Sequence, residues 1–193
     1  MTDPSAQEAP RPQQDRIILT SPDDTVALKQ LVPEDSQTYY DNIAFDPDHL
    51  RQYDDTTADK YPDVESVRRS IENPTNPDRY RFGIWDGDTF VGSDNITPEG
   101  NGSAELGSWI SKKYIGNAYA GRGRKLLVGF AFDTLGLNMV HSDIVAGNEA
   151  SRRSMVKSGF AFAGDFTDDD GTPMYRYVLT RSAWEAQAKA EQA

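Results

Sequence analysis

Cysteine is absent from the 193 residues. That excludes disulfides, thiolate-ligated metal and a thiol nucleophile. Histidine is nearly absent. His49 and His141 stand alone, with no partner at ligand spacing, and read as structural histidines. No apolar run is long enough to cross a bilayer or to form the core of a signal peptide. The expectation is a cytoplasmic protein without membrane contact, which makes the sequons Asn95-Ile96-Thr97 and Asn101-Gly102-Ser103 chance matches. Positive charge is the scarcer sign, with 20 Lys and Arg against 31 Asp and Glu and a net charge of −11. Nucleic-acid affinity rests on neutralising phosphates with Lys and Arg, so a nucleic-acid partner is not expected. The acidity suits either attraction of a cationic substrate or plain solubility.

What is present predicts one folded domain over 15–181. It is preceded by a disordered tail at 1–14, rich in Pro and Gln, and followed by a weakly helical tail at 182–193. "RIILT" and "VALKQL" read as strands around the turn "SPDD". Pro33 and two acids open a helix, "DPDHLRQY" reads as a second, and Asp63 is a candidate N-cap for "DVESVRRSI". Asp86-Gly87-Asp88 sits between two apolar runs as a hairpin turn, and "SAELGSWI" forms the next strand. Leu126, Leu127, Phe130, Ala131 and Leu135 recur at helical spacing, so a helix is expected from about 121 to 135, closed by Gly136. "NMVHSDIVA" is a strand, "NEASRRSMVKS" a helix ending at Gly159, and "FAFAGDF" and "PMYRYVLT" are closing strands. This order implies an α/β or α+β fold with a mixed central sheet, a parallel strand–helix–strand core and helices on both faces. "DFTDDDGT" between the closing strands fails the ligand pattern of a calcium loop and reads as a turn. No metal site is expected.

The acids are unevenly spread. Positions 106–132 hold none, while the same stretch carries Lys112, Lys113, Arg122, Arg124 and Lys125. A loop of small residues, with Gly116, Ala118, Ala120 and Gly121, leads there from a strand into a helix. Free amides and the positive end of the helix dipole make such a junction suit an anion, and small residues let the amides approach phosphate oxygens. The alternative is a basic surface turn. Gly-Lys-Ser/Thr is missing, and Gly121-x-Gly123 is not completed to G-x-G-x-x-G, so neither nucleotide fingerprint is present.

The segment "AELGSWISKKYIGNAYAGRGRKLLVGFAFDTLGLNMVHSDIVAGNEASRRSMVKSGF" resembles the core of the Gcn-five-related N-acetyltransferases, in the RimJ/RimL-type branch. The resemblance covers roughly residues 16–180. It rests on the loop at Ile115, Gly116, Asn117, Ala118, Tyr119 and Ala120, and on "NEASRRSMVKSGF". It implies acetyl-CoA as co-substrate, with its pyrophosphate held by the loop and by Gly121 and Arg122. Trp109 and Ile110 would pair with the pantetheine arm, and Asn148 would meet the cofactor near the thioester. Asn148 also suits an N-cap for the following helix. The loop departs from the family pattern at Ile115, where a polar residue is usual, and at Ala118, where glycine is usual.

Acetyl transfer to an amine by direct attack needs a proton acceptor and a tolerable leaving thiol, and no enzyme nucleophile. Family members often place a carboxylate on the strand before the loop, which makes Glu105 the candidate base; its alternative is a solvent-facing glutamate. Met155 occupies the position where many family members carry a tyrosine acid. Ser151 is then a candidate acid or a first-turn helix serine, with Tyr114 and Tyr119 as other hydroxyls. The acceptor amine is a protein N-terminus or a small polyamine-like molecule, and a homodimer is left open. Acid-rich 33–72 is expected to form much of the acceptor wall. The competing class is a non-catalytic acyl-CoA-binding domain of the same fold.

Overall fold

In the computed structural model, residues 15–21, 24–53 and 55–191 are described. The expected tail at 1–14 lies outside them. Strands β1 (Ile18–Thr20) and β2 (Val26–Gln30) are followed by a short 3₁₀ turn and α1 (Ser36–Ala44). Then come α2 (Pro47–Arg51), α3 (Thr57–Lys60) and α4 (Val64–Glu72). The Asp63 side chain accepts from the Ser66 amide, so α4 begins at its expected cap. Next are β3 (Tyr80–Asp86), β4 (Thr89–Pro98), β5 (Ser103–Ile110), α5 (Tyr119–Gly129) and β6 (Met139–Val145). The chain closes with α6 (Glu149–Lys157), β7 (Ala161–Thr167), β8 (Pro173–Thr180) and α7 (Arg181–Glu191).

Asp86 pairs with Thr89, so the β3–β4 hairpin closes in two residues, with Gly87 at φ 59°. That conformation is what a primed turn demands. In the β7–β8 turn, Asp168 Oδ1 accepts from the amides of Asp170 and Thr172. The Asp168 carboxylate therefore serves the turn's backbone.

The strands form one eight-stranded sheet in the order β1-β2-β3-β4-β5-β6-β8-β7. Every neighbouring pair is antiparallel except β5–β6, which is parallel and joined through α5. The sheet separates two apolar clusters. On one face, Leu28, Phe82, Ile84, Val91, Leu106, Val140 and Leu179 meet Leu127, Val128, Phe130, Ala131 and Phe132 of α5 and its extension. On the other, Tyr39, Ile43, Leu50, Ala58 and Val67 from α1–α4 meet Phe90 and Trp109. Tyr39 anchors this second cluster, edge-on to Trp109 at 5.2 Å and to Tyr61 at 5.8 Å, and its hydroxyl accepts from Trp109 Nε1.

Helix α5 begins two residues earlier than its apolar spacing suggests, and its final turn over Phe130–Thr134 widens to a π-helix. The Leu135 amide reaches back to the Phe130 carbonyl at 3.0 Å. Gly136 follows at φ 68°, as its C-cap role requires. Residues 182–191, expected as a weakly helical tail, belong to α7, where Trp184 packs on Phe132 at 5.8 Å and Gln187 Nε2 donates to the Gly159 carbonyl.

Two glycines of α5 have different standing. A Cβ on Gly123 would lie 2.5 Å from Asp94 Oδ2 and 3.4 Å from Leu28 and Ile84, whereas one on Gly129 would meet nothing within 4 Å. Helix propensity alone favours alanine at either site by about 1 kcal/mol. We expect Gly129→Ala to realise that gain. Gly123→Ala should instead lose on the order of 1–3 kcal/mol, because overpacking outweighs propensity. Chemical denaturation of the two variants checks this; equal stabilisation of both would refute the close approach.

Candidate active site

The β5–β6 pairing lasts three residues: Ser103 with Met139, Ala104 with Val140 and Glu105 with His141. Beyond Glu105 the strands part. Strand β5 continues to Ile110 on β4 alone, and β6 continues to Val145 on β8 alone. A cleft opens between them as part of a continuous hollow of about 1770 Å³ that also reaches β1 and α7. Its walls include Leu106–Ile110 of β5, Ser142–Val145 of β6, the loop and first turns of α5, and Asn148, Ser151, Ser154 and Met155 around α6.

The diverging edges carry backbone groups with no ladder partner, which a bound extended chain could satisfy. Which groups these are follows from the register. The Ser111 amide donates to the Val91 carbonyl on β4, and the Trp109 carbonyl is turned to Gly92 on the same strand. Backbone direction alternates along a strand, so Leu106, Ser108 and Ile110 present the open edge. Ile110 therefore presents its backbone at the open edge, whereas the Trp109 backbone is committed to β4 and its indole to the Tyr39 cluster.

The α5 loop is built for close approach. Gly116 lies at φ 89° with open space where a side chain would be. Ala118 is the only non-glycine with positive φ among the described residues, at 58°, and is the N-cap residue of α5. It stands in a left-handed conformation that glycine adopts without cost. The first intrahelical bonds run from the Gly121 and Arg122 amides to the Ala118 carbonyl. The amides of the first turn ahead of them have no intrahelical acceptor and carry the positive end of the helix dipole. Gly116, Ala118, Tyr119, Ala120, Gly121 and Arg122 all line the cleft. Asn117 does not, and its side-chain amide turns back to the Tyr114 carbonyl.

The basic side chains are less available than their sequence suggests. Arg122 Nε donates to both Asp24 oxygens at 2.8 and 3.0 Å, and Nη2 completes the ion pair. This guanidinium holds the Asp24 carboxyl down at about 2. Tyr119 Oη donates to Asp86 Oδ2 at 2.7 Å, and the Thr25 hydroxyl donates to Oδ1. The acid-free stretch thus acquires two carboxylates, one from the β1–β2 connection and one from the end of β3. An anion here would be held by backbone amides and dipole more than by Arg122.

Arg124 is buried and turned to α6, where Nη1 donates to Ser154 Oγ at 3.0 Å and Ser158 Oγ at 2.9 Å. Beneath α5 lies Asp94, fully buried, with Oδ2 lacking a partner. Burial pushes its carboxyl up to about 7, against the pull of Arg124. No sequence pattern marked Asp94, because an aspartate in an apolar strand is legible only when its cover is known.

Asn148 takes the N-cap role: its Oδ1 accepts from the Ser151 amide at 3.1 Å. Its side-chain amide remains beside the cleft. Arg152 points away, to Tyr177 Oη and the Ala146 carbonyl. Met155 is buried in the core of the α5 face. Glu105 is exposed on the opposite face, lines the cleft, and has no hydrogen-bond or ion-pair partner among the described residues. On that side the wall includes His49, Tyr53, Asp55, Lys60, Arg79 and Asn95. Several acids of 33–72 are spent elsewhere: Asp35 on Arg16, Asp46 on Lys112, Asp48 and Asp59 on Arg51.

The acetyltransferase (GNAT) domain family matches residues 25–161. The chain belongs to the GNAT acetyltransferase family. A solved structure of RimL, a ribosomal alpha-N-protein acetyltransferase in complex with coenzyme A, superposes with a TM-score of 0.77 at 13% identity, covering 86% of this chain and 99% of that one. RimJ of Mycobacterium smegmatis, in complex with CoA-disulfide, gives 0.68 at 18% identity, covering 86% and 87%. These identities speak to the fold. Among curated relatives, the putative ribosomal N-acetyltransferase YdaF of Bacillus subtilis is 32% identical over 92 residues, which is 45% of this chain and 50% of that one. FsC-acetyl coenzyme A-N(2)-transacetylase of Aspergillus fumigatus is 33% identical over 87 residues, 42% and 37% of the two chains. The matches thus span half or less of those two relatives. The mixed sheet with its parallel β5–β6 pair and connecting helix is consistent with the GNAT fold.

Two predictions come from this GNAT cleft. Ala118→Gly should relieve left-handed strain and raise stability by up to about 1 kcal/mol, read as an increased melting temperature; a decrease would mean the loop is not held in that conformation. The second concerns Asp94. With its carboxyl raised above the ordinary aspartate value, the folded state binds the proton more tightly. That contribution is fully present below about pH 4 and is lost as pH rises through about 7. The melting temperature of Asp94→Asn, taken relative to the parent, should therefore rise between pH 4 and pH 8. Parallel curves would contradict a neutral buried acid.

Proposed function

We propose that this GNAT domain transfers an acetyl group from acetyl-CoA to a primary amine by direct attack. The observation that carries the reading is the divergence of β5 and β6 beside an amide-lined helix N-terminus. An extended pantetheine arm fits the open edge of Leu106, Ser108 and Ile110, and a pyrophosphate fits the glycine-opened loop at 115–121. Acetyl-CoA would supply the activated acyl carbon, and the chain supplies orientation and proton handling. The unpartnered carboxylate of Glu105 is suited to accept the ammonium proton as the amine attacks.

For the departing thiol the chain offers two routes. The Ser151 hydroxyl could donate, or the thiolate could leave unassisted, since a thiol pKa of about 8–9 makes it tolerable near neutral pH. Met155 at the tyrosine position of many family members, and buried, favours the second route. It also favours the competing reading of an acyl-CoA-binding domain without turnover. RimL and YdaF carry names of ribosomal N-acetyltransferases, which directs attention to a protein N-terminus as acceptor; a small cationic amine is the other class. Asp55 and Glu105 suit a cationic group at the mouth, while Lys60 and Arg79 keep that wall from being uniformly acidic.

Coenzyme A and acetyl-CoA should raise the melting temperature with concentration, as any ligand of the folded state does, and calorimetry should show binding heat. Absence of both at millimolar ligand would sink the reading. Glu105→Gln should leave that binding in place and lower turnover about 10²-fold or more on an N-terminal peptide or amine panel. Near-full turnover would move the base elsewhere. Cofactor binding with no turnover by the parent protein on any acceptor would support the non-catalytic reading.

A further inference from the structure

Glu105 has neighbours on its face of the sheet that acetyl transfer itself leaves unused. Register partners share a face, and so do residues two apart along a strand. Glu105 pairs with Thr97, Gly107 with Asn95, and Asn95 in turn with Arg81. Arg79 stands two residues before Arg81, at the threshold of β3. Arg79, Asn95 and Glu105 therefore lie side by side across β3, β4 and β5. Theirs is the face covered by α1–α4, where the Arg81 guanidinium stacks on the Tyr39 and Tyr61 rings and donates to the Ser70 carbonyl. Arg81 is half-buried under that cover. Arg79 is exposed beyond it and lines the hollow, as Asn95 and Glu105 do.

The polar atoms of this row are unevenly spent. A Cβ on Gly107 would lie 2.9 Å from Asn95 Nδ2 and 3.0 Å from Oδ1, so the missing side chain lets the Asn95 amide lie over β5, two residues from Glu105. Arg79 Nε donates to Asn95 Oδ1 at 3.2 Å. A guanidinium only donates, so the amide oxygen is the atom turned to it, and the Nδ2 hydrogens are left for another acceptor. Among the described residues, neither Asn95 Nδ2 nor the two Nη groups of Arg79 have a hydrogen-bond or ion-pair partner. Arg176, the other arginine whose charge reaches Glu105, is spent on Asp143 at 2.7 and 2.6 Å. Asp55 accepts from the Thr57 amide. Lys60, at the end of α3, lines the hollow and has no acid partner among the described residues. A polyamine would meet two unpaired cations on this wall.

We propose that the acceptor is a peptide N-terminus whose second or third residue is acidic, with Arg79 as the residue that selects it. The α-amine lies at Glu105, the first peptide carbonyl accepts from Asn95 Nδ2, and the side-chain carboxylate accepts from the Nη groups of Arg79 in charge-assisted hydrogen bonds. The spacing sets the position of the acid. Two strand spacings of about 4.8 Å separate the backbones of β3 and β5, and an extended peptide advances about 3.3 Å per residue. A carboxylate on the second or third residue bridges that span. The α-carboxylate of a free amino acid, one carbon from its amine, does not. The proposal rests on the reading of the cleft as the site of acetyl transfer to an amine at Glu105.

The test uses two sets of N-terminal peptides with acetyl-CoA. One set carries Asp, Ala or Lys at the second residue, the other at the third, and spermidine serves as the polyamine probe. In at least one set kcat/KM should fall from Asp through Ala to Lys, with about 10-fold or more between the ends, as hydrogen bonds to a charged group supply. Arg79→Glu should reverse that order. A misfolded variant would lower all three peptides alike, so reversal reports the charge at this position. Asn95→Asp should erase the preference by pairing Arg79 within the chain, without lowering the melting temperature. Equal rates in both sets, a preference for Lys or spermidine, or an unchanged order in Arg79→Glu would overturn the proposal and leave acetyl transfer standing. If nothing is turned over, calorimetry of the same peptides, with and without coenzyme A, reads the same order. Tighter binding of the Asp peptide that Arg79→Glu abolishes would uphold the subsite while the transfer reading fails. Binding without preference, or none, would overturn the subsite as well.

Discussion

Everything functional in this fold depends on where one strand pair stops. Strands β5 and β6 hold together through Glu105 and His141 and then separate, each remaining bonded to its outer neighbour. Backbone hydrogen bonding is ordinarily satisfied within a sheet, so an interior pair with open edges is costly unless something else fills them. The cleft is this local deficit made permanent. Stability comes from the two apolar clusters on either side of the sheet, neither of which needs the divergent residues to pair.

Charge around the cleft is set by contacts across the chain more than by local composition. Asp24 and Asp86 arrive at the first turn of α5 from two other connections and engage Arg122 and Tyr119. They complement the helix dipole there, as acids at helix N-termini do, and they lower the net positive charge of the loop. Backbone amides, whose direction is fixed by the turn at Gly116 and Ala118, become the main attraction for an anion. Such a loop suits an anion by geometry at short range more than by long-range attraction, in a chain of net charge −11.

Buried polar groups tie the cleft walls to one another. Arg124 leaves α5 to bond Ser154 and Ser158 at α6, while Asp94 lies under Gly123 with its Oδ2 lacking a hydrogen-bond partner. On the other face, Glu99, His141, Asp143 and Arg176 run along the closed and open ends of the parallel pair. Such arrangements are expensive to bury and are most costly when incomplete. Arg124, Ser154, Ser158 and Asp143 of these groups line the cleft itself.

How much of this was legible in the residues follows from the range of the forces involved. The hairpin at Gly87, the cap at Asp63, the stops at Gly136 and Gly159, and the strand "SAELGSWI" are local features, decided by dihedral preference and by periods of two and 3.6 residues; the sequence therefore sufficed for them. The loop and "NEASRRSMVKSGF" carried the family resemblance for the same reason. Helix α5 starts earlier than its apolar pattern because Tyr119 and Ala120 are held by the turn at Ala118 and by Asp86, not by burial. The turning of the Trp109 carbonyl toward Gly92, the burial of Asp94 under Gly123 and the capture of Arg122 by Asp24 join residues 17 to 98 positions apart. Their energies depend on solvent exclusion and on distance in space. Sequence determined most of the elements and their order, though not α3; only the folded chain decided which side chains are free to act, because a carboxylate or an imidazole acquires its chemistry from what surrounds it.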